Sequence, residues 1–379
     1  ISISIKGKIM NSLTFFWNKN IYAKDKTSKL FIRAMKENIA FHRLHCPKYK
    51  KILYKQGFDE SLLCNEASLA LIPPLPTLYF KRNRLFSLPY KKLRIKATSS
   101  GTGGIKSKLG FDDKSFYCGM QMVCRFFSYH KLISLKPSHC IILGFEPSAK
   151  NSVAATKTAY GASFFSPVLS HTYALKYKDN SYIINIDGII KALKNCSKSP
   201  FPVRFMGLPS YMYFLLEKLV EYKIKLKLPK GSKVMLGGGW KQFSNIEIPK
   251  DKLNCLIKDR LGIDRENVYE FFSVAEHPVP YIKCKNEHFH IPIYSRVIIR
   301  DINTLKPLPY GKVGILNLLT PYVKSMPLSS VLTDDLAVLH PAKSCGCGIS
   351  TDYFELKGRA GVSQIKTCAA HAIDFGEKV

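Results

Sequence analysis

Apolar positions change their period along this chain, and each change marks an element. From Lys29 to His42, Leu30, Phe31, Ile32, Met35 and Ile39 recur among lysines and other polar residues, the stripe of an amphipathic helix. The stretch up to about residue 70 reads as mostly helical in the same way. Ile72-Pro73-Pro74-Leu75-Pro76 ends that pattern, because proline fixes an extended backbone and cannot continue a helix. The chain then runs into Leu78-Tyr79-Phe80-Lys81. Leu93-Arg94-Ile95 reads as a strand, and Lys114–Phe127, rich in aromatic and sulfur side chains, as a helix.

The middle of the chain alternates. Cys140-Ile141-Ile142-Leu143 is a continuous apolar run stopped by Gly144, the pattern of a buried strand. Phe205-Met206 ends another strand, Gly207-Leu208-Pro209 turns, and Ser210 is expected to cap a helix bearing Phe214, Leu215, Leu219 and Val220. After Pro229-Lys230-Gly231, Val234-Met235-Leu236 runs into Gly237-Gly238-Gly239-Trp240. Strand–helix–strand units ending in glycine loops indicate an α/β fold, with ligands at the C-terminal ends of the strands. From Ile291 onward the pattern turns β-rich: Val297-Ile298-Ile299, a turn over Pro307–Gly311, then Val313 to Leu319.

Composition narrows the function classes. A chain of 379 residues with 46% apolar content can bury a large core, which excludes a disordered protein. The net charge of +31 suggests a nucleic-acid binder. Against that, the charge is mostly lysine scattered along the whole chain, whereas base readout favours clustered arginine. The charge is therefore read as an attraction for anionic ligands or acidic partners, with no nucleic acid involved. Eleven cysteines is an odd count without the density of a disulfide scaffold. No apolar run reaches the length of about 18 residues needed for a membrane span, and the N-terminal apolar run is too short for a signal peptide. A reduced, cytoplasmic protein is expected.

Candidate chemistry begins at Thr98-Ser99-Ser100-Gly101-Thr102-Gly103-Gly104-Ile105-Lys106-Ser107. Glycines let backbone N–H groups crowd an anion, hydroxyls add donors, and lysine adds a point charge, so the segment is suited to polyphosphate. It is not a Walker A loop, since Ile105 rather than glycine precedes Lys106, and Lys106 also spoils a dinucleotide fingerprint. A surface turn of turn-forming residues is the plainer alternative.

This segment resembles the Ser-Ser-Gly-Thr-Thr-Gly-x-x-Lys phosphate loop of the adenylate-forming enzymes. Gly103 stands where the family has a second threonine. The resemblance continues downstream. Gly237, Gly238 and Gly239 resemble the family's adenine-proximal loop. Tyr269–His277 occupies the place of its Tyr-Gly-x-Thr-Glu motif, which implies that Phe272 lies against adenine and Glu276 helps to hold Mg²⁺. Ser273 and Ala275 depart from that motif. Thr333-Asp334-Asp335-Leu336 resembles Thr-Gly-Asp-Leu, which implies ribose recognition by Asp335, and Lys357-Gly358-Arg359 resembles the Gly-Arg that follows. Within that superfamily the chain is most similar to the bacterial acyl-protein synthetases, the LuxE-like ligases of long-chain fatty acids. Leu75-Pro76 with Phe80-Lys81, Leu236 to Lys241, Glu276-His277, Arg300-Asp301 with Leu305 to Pro309, Cys345-Gly346-Cys347-Gly348 and Gly358 to Gly361 carry that similarity.

The resemblance implies an adenylate-forming large domain: mixed sheets flanked by helices, plus a smaller β-rich subdomain, with the usual C-terminal small domain reduced to a short tail. The expected division is 1–75 (helical segment and linker), 76–290 (α/β core for ATP and acyl group), 291–357 (β-rich) and 358–379 (tail). It implies ATP and Mg²⁺ as cofactors, with Lys106 and Glu276 catalytic. In the tail, Cys368 matches the cysteine that becomes acylated. An acyl-adenylate is a mixed anhydride, and a thiolate is suited to take its acyl group. If the tail is helical, His371 lies one turn from Cys368 and favours the thiolate; a buried structural cysteine is the alternative.

Cys345-x-Cys347 also admits a structural Zn²⁺, for which two further ligands are needed. His277, Cys284, His288 and His290 are the candidates, with His277 and Cys284 completing a Cys₃His set; free cysteines in a glycine-bracketed turn are the alternative. The expected activity is ATP-dependent activation of a carboxylic acid, a fatty acid above all, and acyl transfer through Cys368 to an acyl-acceptor or acyl-reductase partner. Two other readings stay open: a ligase acylating coenzyme A or a carrier thiol, of the phenylacetate–CoA ligase type, and a non-catalytic adenylate-binding protein.

Overall fold

The computed structural model describes residues 11–99, 106–148 and 154–360. They fall into two compact units that the chain visits alternately. One takes the chain up to Ala97, the stretch ending at Tyr129, and everything from Val274 onward; the other takes His130–Ser273. The β-rich stretch after 291 groups with the N-terminal helices. Its sheet has two apolar faces to cover, and residues from the start of the chain supply part of the cover.

In the first unit the sheet runs in the order Phe289–His290, Tyr353–Arg359, Ser330–His340, Val313–Leu319, Arg296–Arg300, with antiparallel neighbours. Leu75–Pro76, straight after the proline-rich linker, adds a short parallel pairing to Val331 and Leu332. The α-helix Lys24–His45 buries Phe31, Met35, Asn38, Ile39 and His42, the face its sequence period marks. Polar members of that face are matched. Asn38 donates to the Val323 carbonyl at 2.8 Å and accepts from Ser329 at 2.6 Å. The Arg296 guanidinium lies 4.0 Å from the Phe31 ring centre and bonds Glu66 at 2.7 Å.

Arg300 is a second well-connected buried charge of this unit, at 4% exposure. Its Nε donates to Asn317 on the neighbouring strand at 2.8 Å, Nη1 to the Leu305 carbonyl at 2.9 Å, and Nη2 to the carbonyls of Ala70 at 2.9 Å and Ile72 at 3.4 Å. Asn317 in turn donates to Ser330 and to the Val331 carbonyl, both at 3.1 Å. Burial pulls the Arg300 pKa down to about 10, still charged at neutral pH.

The second unit is the α/β part. Parallel strands follow the order Val268–Val274, Lys233–Gly237, Val203–Gly207, Ser138–Phe145, Val168–Lys178, and Ser181–Ile184 returns antiparallel at the edge. Ile141, Leu143, Phe205, Val234 and Leu236 pack against Ile189, Leu193, Leu215, Leu219 and Ile257 of the helices Ile186–Cys196, Pro209–Glu221 and Lys250–Leu261.

Two local expectations shift. Ser210 does not cap its helix: Pro209 takes the first helical position after Leu208, where its missing N–H costs nothing, and the buried Ser210 hydroxyl finds no hydrogen-bond partner. The strand expected at Leu93-Arg94-Ile95 begins at Ile95, because Pro89 starts a short 3₁₀ turn, Tyr90–Lys92, that uses Leu93 as its end. Among the described residues, no helix is long and apolar enough to cross a membrane.

Arg300→Met should leave buried carbonyls without donors and cost about 3 kcal/mol of unfolding free energy, read by urea titration. A loss below about 1 kcal/mol would show that those carbonyls find other donors.

Candidate functional site

Lys106 and Ser107 precede the strand Lys108–Phe111, and the two behave oppositely: Lys106 is exposed, whereas Ser107 is fully buried. The Ser107 hydroxyl donates a short hydrogen bond to Oε1 of Glu276. Glu276 sits on the turn that leads into the strand His277–Ile282 and is 3% exposed. Burial pushes its carboxyl pKa up, the Ser107 bond and the charge of Lys81 pull it down, and Asp334 pushes it up again. A buried carboxyl whose pKa is raised holds its proton more readily than an exposed one, and offers oxygen ligands to a hard cation that displaces the proton.

Asp334 and Asp335 lie on the strand Ser330–His340, where successive side chains point to opposite faces. Asp334, which stands where the adenylate-forming motif has glycine, accepts from the Thr77 hydroxyl at 2.9 Å. Asp335 sits across from Arg359 in the ladder; the Arg359 Nε is 3.7 Å from its Oδ1, and the arginine side chain is 61% exposed. The Asp335 N–H donates to Thr333 at 3.1 Å, and Thr333 donates to the Leu316 carbonyl at 3.1 Å. The ladder slips between Leu336 and Ala337, directly beside this pair.

In the other unit, Gly237 ends the strand Lys233–Gly237, and Gly238 and Gly239 follow with φ of +88° and +65°. A Cβ at Gly237 would stand 3.1 Å from both the Cβ and the carbonyl oxygen of Phe271, its ladder partner. Phe272 is the next residue on that neighbouring strand. These residues therefore share the C-terminal end of the parallel strands, where α/β folds bind ligands. Ser99, just past the strand Ile95–Thr98, is buried. Ser100, Gly101, Thr102, Gly103 and Gly104 of the phosphate loop, and Cys368 with His371 of the tail, lie outside the described residues.

A second constellation belongs to the first unit. One ligand atom each from Cys284, His290, Cys345 and Cys347 lies within 4.8 Å of every other. The Cys284 and Cys345 sulfurs are 3.6 Å apart, and His290 Nε2 stands 3.2 Å from the sulfurs of both Cys345 and Cys347. His290 Nδ1 is 2.6 Å from the Thr351 carbonyl, which can only accept; the proton sits on Nδ1, and the Nε2 lone pair faces the sulfurs. The backbone N–H groups of Asn286 and Ile349 donate to the Cys284 and Cys347 sulfurs, each at 3.4 Å. Gly346, at φ +70°, supplies the left-handed residue that the tight Cys345–Cys347 turn requires.

His277, expected as the histidine of this set, is not in it. It is fully buried and bonds the Tyr281 hydroxyl at 3.0 Å and Ser295 at 3.2 Å, and burial lowers its pKa to about 3. His290 takes the place because Phe289–His290 pairs with Tyr353 and Phe354, close after the cysteine turn. His288, the remaining candidate, approaches Cys345 at 3.2 Å through Nδ1 and lies outside the four-residue group. Sequence reading gave Ser107 no role beyond closing the phosphate-loop segment, and it passed over Thr77. Ser107 closes the phosphate-loop segment, and its position directly after Lys106 was the available signal.

The fold is that of the adenylate-forming ligases. A 2-hydroxyisobutyryl-CoA ligase in an open conformation, with 2-HIB-AMP and CoA, matches with a TM-score of 0.67 over 90% of this chain and 76% of that one, at 15% identity. A long-chain-fatty-acid–CoA ligase from Archaeoglobus fulgidus matches at 0.50 over 75% and 55%, at 9% identity. The family model for the acyl-protein synthetase LuxE matches residues 2–374, and the chain belongs to that family. It is similar to the long-chain-fatty-acid–luciferin-component ligase of Aliivibrio fischeri, 23% identical over 349 residues covering 88% of this chain and 86% of that one. The enzyme of the same name from Vibrio harveyi is 22% identical over 371 residues, 95% of this chain and 92% of that one. This protein is accordingly an ATP-dependent, AMP-forming acid–thiol ligase that activates an acyl group and transfers it.

Glu276 gives a stability prediction with a definite sign. Its folded pKa is raised above its unfolded value, so its contribution to stability is fully present below the ordinary carboxylate pKa and is lost as pH rises through the folded pKa. Glu276→Gln should match the parent protein in acid and become the more stable of the two above that window, measured by urea unfolding across pH. A variant less stable at pH 8 would mean that ionised Glu276 supports the fold.

Proposed function

We propose that this ligase uses Mg²⁺-ATP to activate a long-chain fatty acid and carries the acyl group on its own Cys368 for delivery to an acyl-acceptor or acyl-reductase protein. The observation that supports it most is the buried Glu276 carboxyl held by Ser107, immediately after the glycine-rich segment. In the first step a carboxylate oxygen of the acid bonds to the α-phosphorus of ATP and pyrophosphate leaves; in the second the Cys368 thiolate bonds to the acyl carbon and AMP leaves. Mg²⁺, when bound, offsets the charge that builds on the phosphates. Glu276 would hold it through oxygen, and Lys106 would add a cation toward the phosphates. Asp335 and Arg359 are proposed for the nucleotide ribose and phosphate, and Gly237–Gly239 with Phe272 for adenine. Support for the long-chain acid is the name shared by both curated relatives.

The same reading includes a structural Zn²⁺ on Cys284, His290, Cys345 and Cys347. Tetrahedral zinc with bonds of about 2.3 Å to sulfur and 2.0 Å to nitrogen needs ligand atoms roughly 3.5–3.8 Å apart. The Cys284–Cys345 separation of 3.6 Å fits that range, the two histidine–sulfur separations of 3.2 Å would open by a few tenths of an ångström, and all four ligand atoms lie within 4.8 Å of one another. Three sulfurs, two of them with N–H donors behind them, suit thiolates on a soft-to-borderline metal.

Labelled fatty acid and ATP should leave label on the protein through denaturation. Cys368→Ser should abolish that label while keeping acid-dependent ATP–pyrophosphate exchange near the parent rate, and Glu276→Gln should lower exchange by about a hundredfold. Label retained in Cys368→Ser would remove the cysteine from the mechanism. Label that appears only on added coenzyme A would make the enzyme an acyl-CoA ligase.

A further inference from the structure

The cysteine–histidine centre and the Asp335–Arg359 pair lie on one two-stranded ribbon, at its opposite ends. The strands Ser330–His340 and Tyr353–Arg359 are antiparallel, with His340 opposite Tyr353 at one end and Asp335 opposite Arg359 at the other. Next to the first end, His290 and Phe289 pair with Tyr353 and Phe354, so a metal ligand is itself in the ladder. Cys345 and Cys347 come from the loop that joins the two strands, and Thr351, which orients His290, closes that loop. Between the two ends the ladder slips by one position at Leu336/Ala337.

The side chains around the joining loop tie the same end together. Tyr353 is stacked between His288, 4.2 Å away, and His340, 4.9 Å away. His340 Nε2 lies 3.1 Å from the Glu355 carboxylate, which accepts from Lys357 at 2.8 Å along its own strand. At the other end Arg359 is mostly exposed, and its contact to Asp335 is long. The ribbon is thus tied by side chains where the ligand atoms converge, whereas at the other end the Asp335–Arg359 side-chain contact is long and the backbone holds the strands, with the Ala360 N–H donating to the Asp334 carbonyl at 3.0 Å. A one-residue slip turns every side chain of a strand to the other face, and a bulge is the place where such a slip is least costly.

We infer that the metal bound by Cys284, His290, Cys345 and Cys347 is the register clamp of this ribbon, and that it positions Asp335 and Arg359 for the nucleotide without touching it. This rests on the zinc and ribose assignments proposed above. Bound metal fixes the loop against the strand Phe289–His290, which fixes Tyr353 in the ladder, and the remaining residues of the strand follow in order to Arg359. The clamp thereby acts on ATP affinity through backbone registry, as outer residues do around other sites.

The test uses the full-length chain. Metal is measured by native mass spectrometry, removed with a chelator and restored with Zn²⁺, and at each stage hydrogen exchange of the 353–359 amides and equilibrium ATP binding are recorded. One zinc per chain is expected. Its removal should speed exchange over 353–359 while Val313–Leu319 stays protected, weaken ATP binding by about tenfold, and Zn²⁺ should reverse both. Cys284→Ser, which keeps three ligands, should give an intermediate effect, and Cys64→Ser, an exposed cysteine elsewhere, none.

Protein purified from zinc-supplemented cells without metal, and unable to bind added Zn²⁺, would end the zinc assignment itself. Metal present but exchange over 353–359 unchanged on its removal would overturn the clamp and leave the zinc standing. Faster exchange with unchanged ATP affinity would overturn the link to the nucleotide. Protection lost throughout the sheet would also overturn the clamp, because the metal would then hold the whole unit.

Discussion

The first unit depends on how the Arg300 guanidinium is spent. A buried arginine without a carboxylate partner is costly unless every N–H finds an acceptor. Arg300 comes close to that with four hydrogen bonds, to the backbone carbonyls of Ala70, Ile72 and Leu305 and the side-chain oxygen of Asn317. The Ala70 and Ile72 carbonyls belong to the stretch that enters the proline-rich linker. Holding them fixes where Leu75–Pro76 joins the sheet, and so where Thr77 and Lys81 stand. Thr77 then bonds Asp334, and Lys81 bears on Glu276. The Arg300 bonds, the Leu75–Pro76 pairing and the Thr77–Asp334 bond together hold a segment from early in the chain beside acids that come from its last third.

Those acids show what burial does to chemistry. Glu276 is nearly sealed, and its carboxyl is drawn toward the neutral form; Asp335 keeps more solvent and faces a cation across the ladder. Asp334, one residue away on the opposite face, is occupied by Thr77. Three carboxyls in a small region thus carry different tasks, set by what each faces. The substitution of glycine by Asp334 in the ribose motif becomes understandable: its side chain is turned toward Thr77 and away from the Asp335 side.

Buried strands were readable in the sequence because a continuous apolar run leaves few alternatives. Cys140–Leu143 falls inside Ser138–Phe145, and Val234–Leu236 inside Lys233–Gly237. The helix Asp113–Tyr129 outruns the expected Lys114–Phe127 only at its ends. What was not readable depends on tertiary pairing. Leu75–Pro76 is too short to show a period, and its strand character exists only through Val331 and Leu332. The choice of His290 over His277 follows from which strand lies beside the Cys345–Cys347 turn, and spacing along the chain carries no trace of that. Ser107 was hidden for another reason: its partner Glu276 is far away in sequence, and a serine after a polar loop has no pattern of its own.

Charge works at two ranges in this protein. With 58 basic against 27 acidic residues, the long-range field draws in polyphosphate and carboxylate anions, both of which this class of ligase must gather. That field alone would bind an anion without activating it, and at physiological ionic strength it fades beyond about 8 Å. Adenylation needs a local arrangement with acids as well as bases, because a hard cation must be held against the phosphates. Glu276 and Asp334 place carboxyl oxygens in a shielded spot near Lys81. A cation that binds there would meet them in a medium where charges interact several-fold more strongly than at the surface. On the proposed function, the scattered lysines would bear on how often ligands arrive, and the buried serine–glutamate pair on what happens to them afterwards.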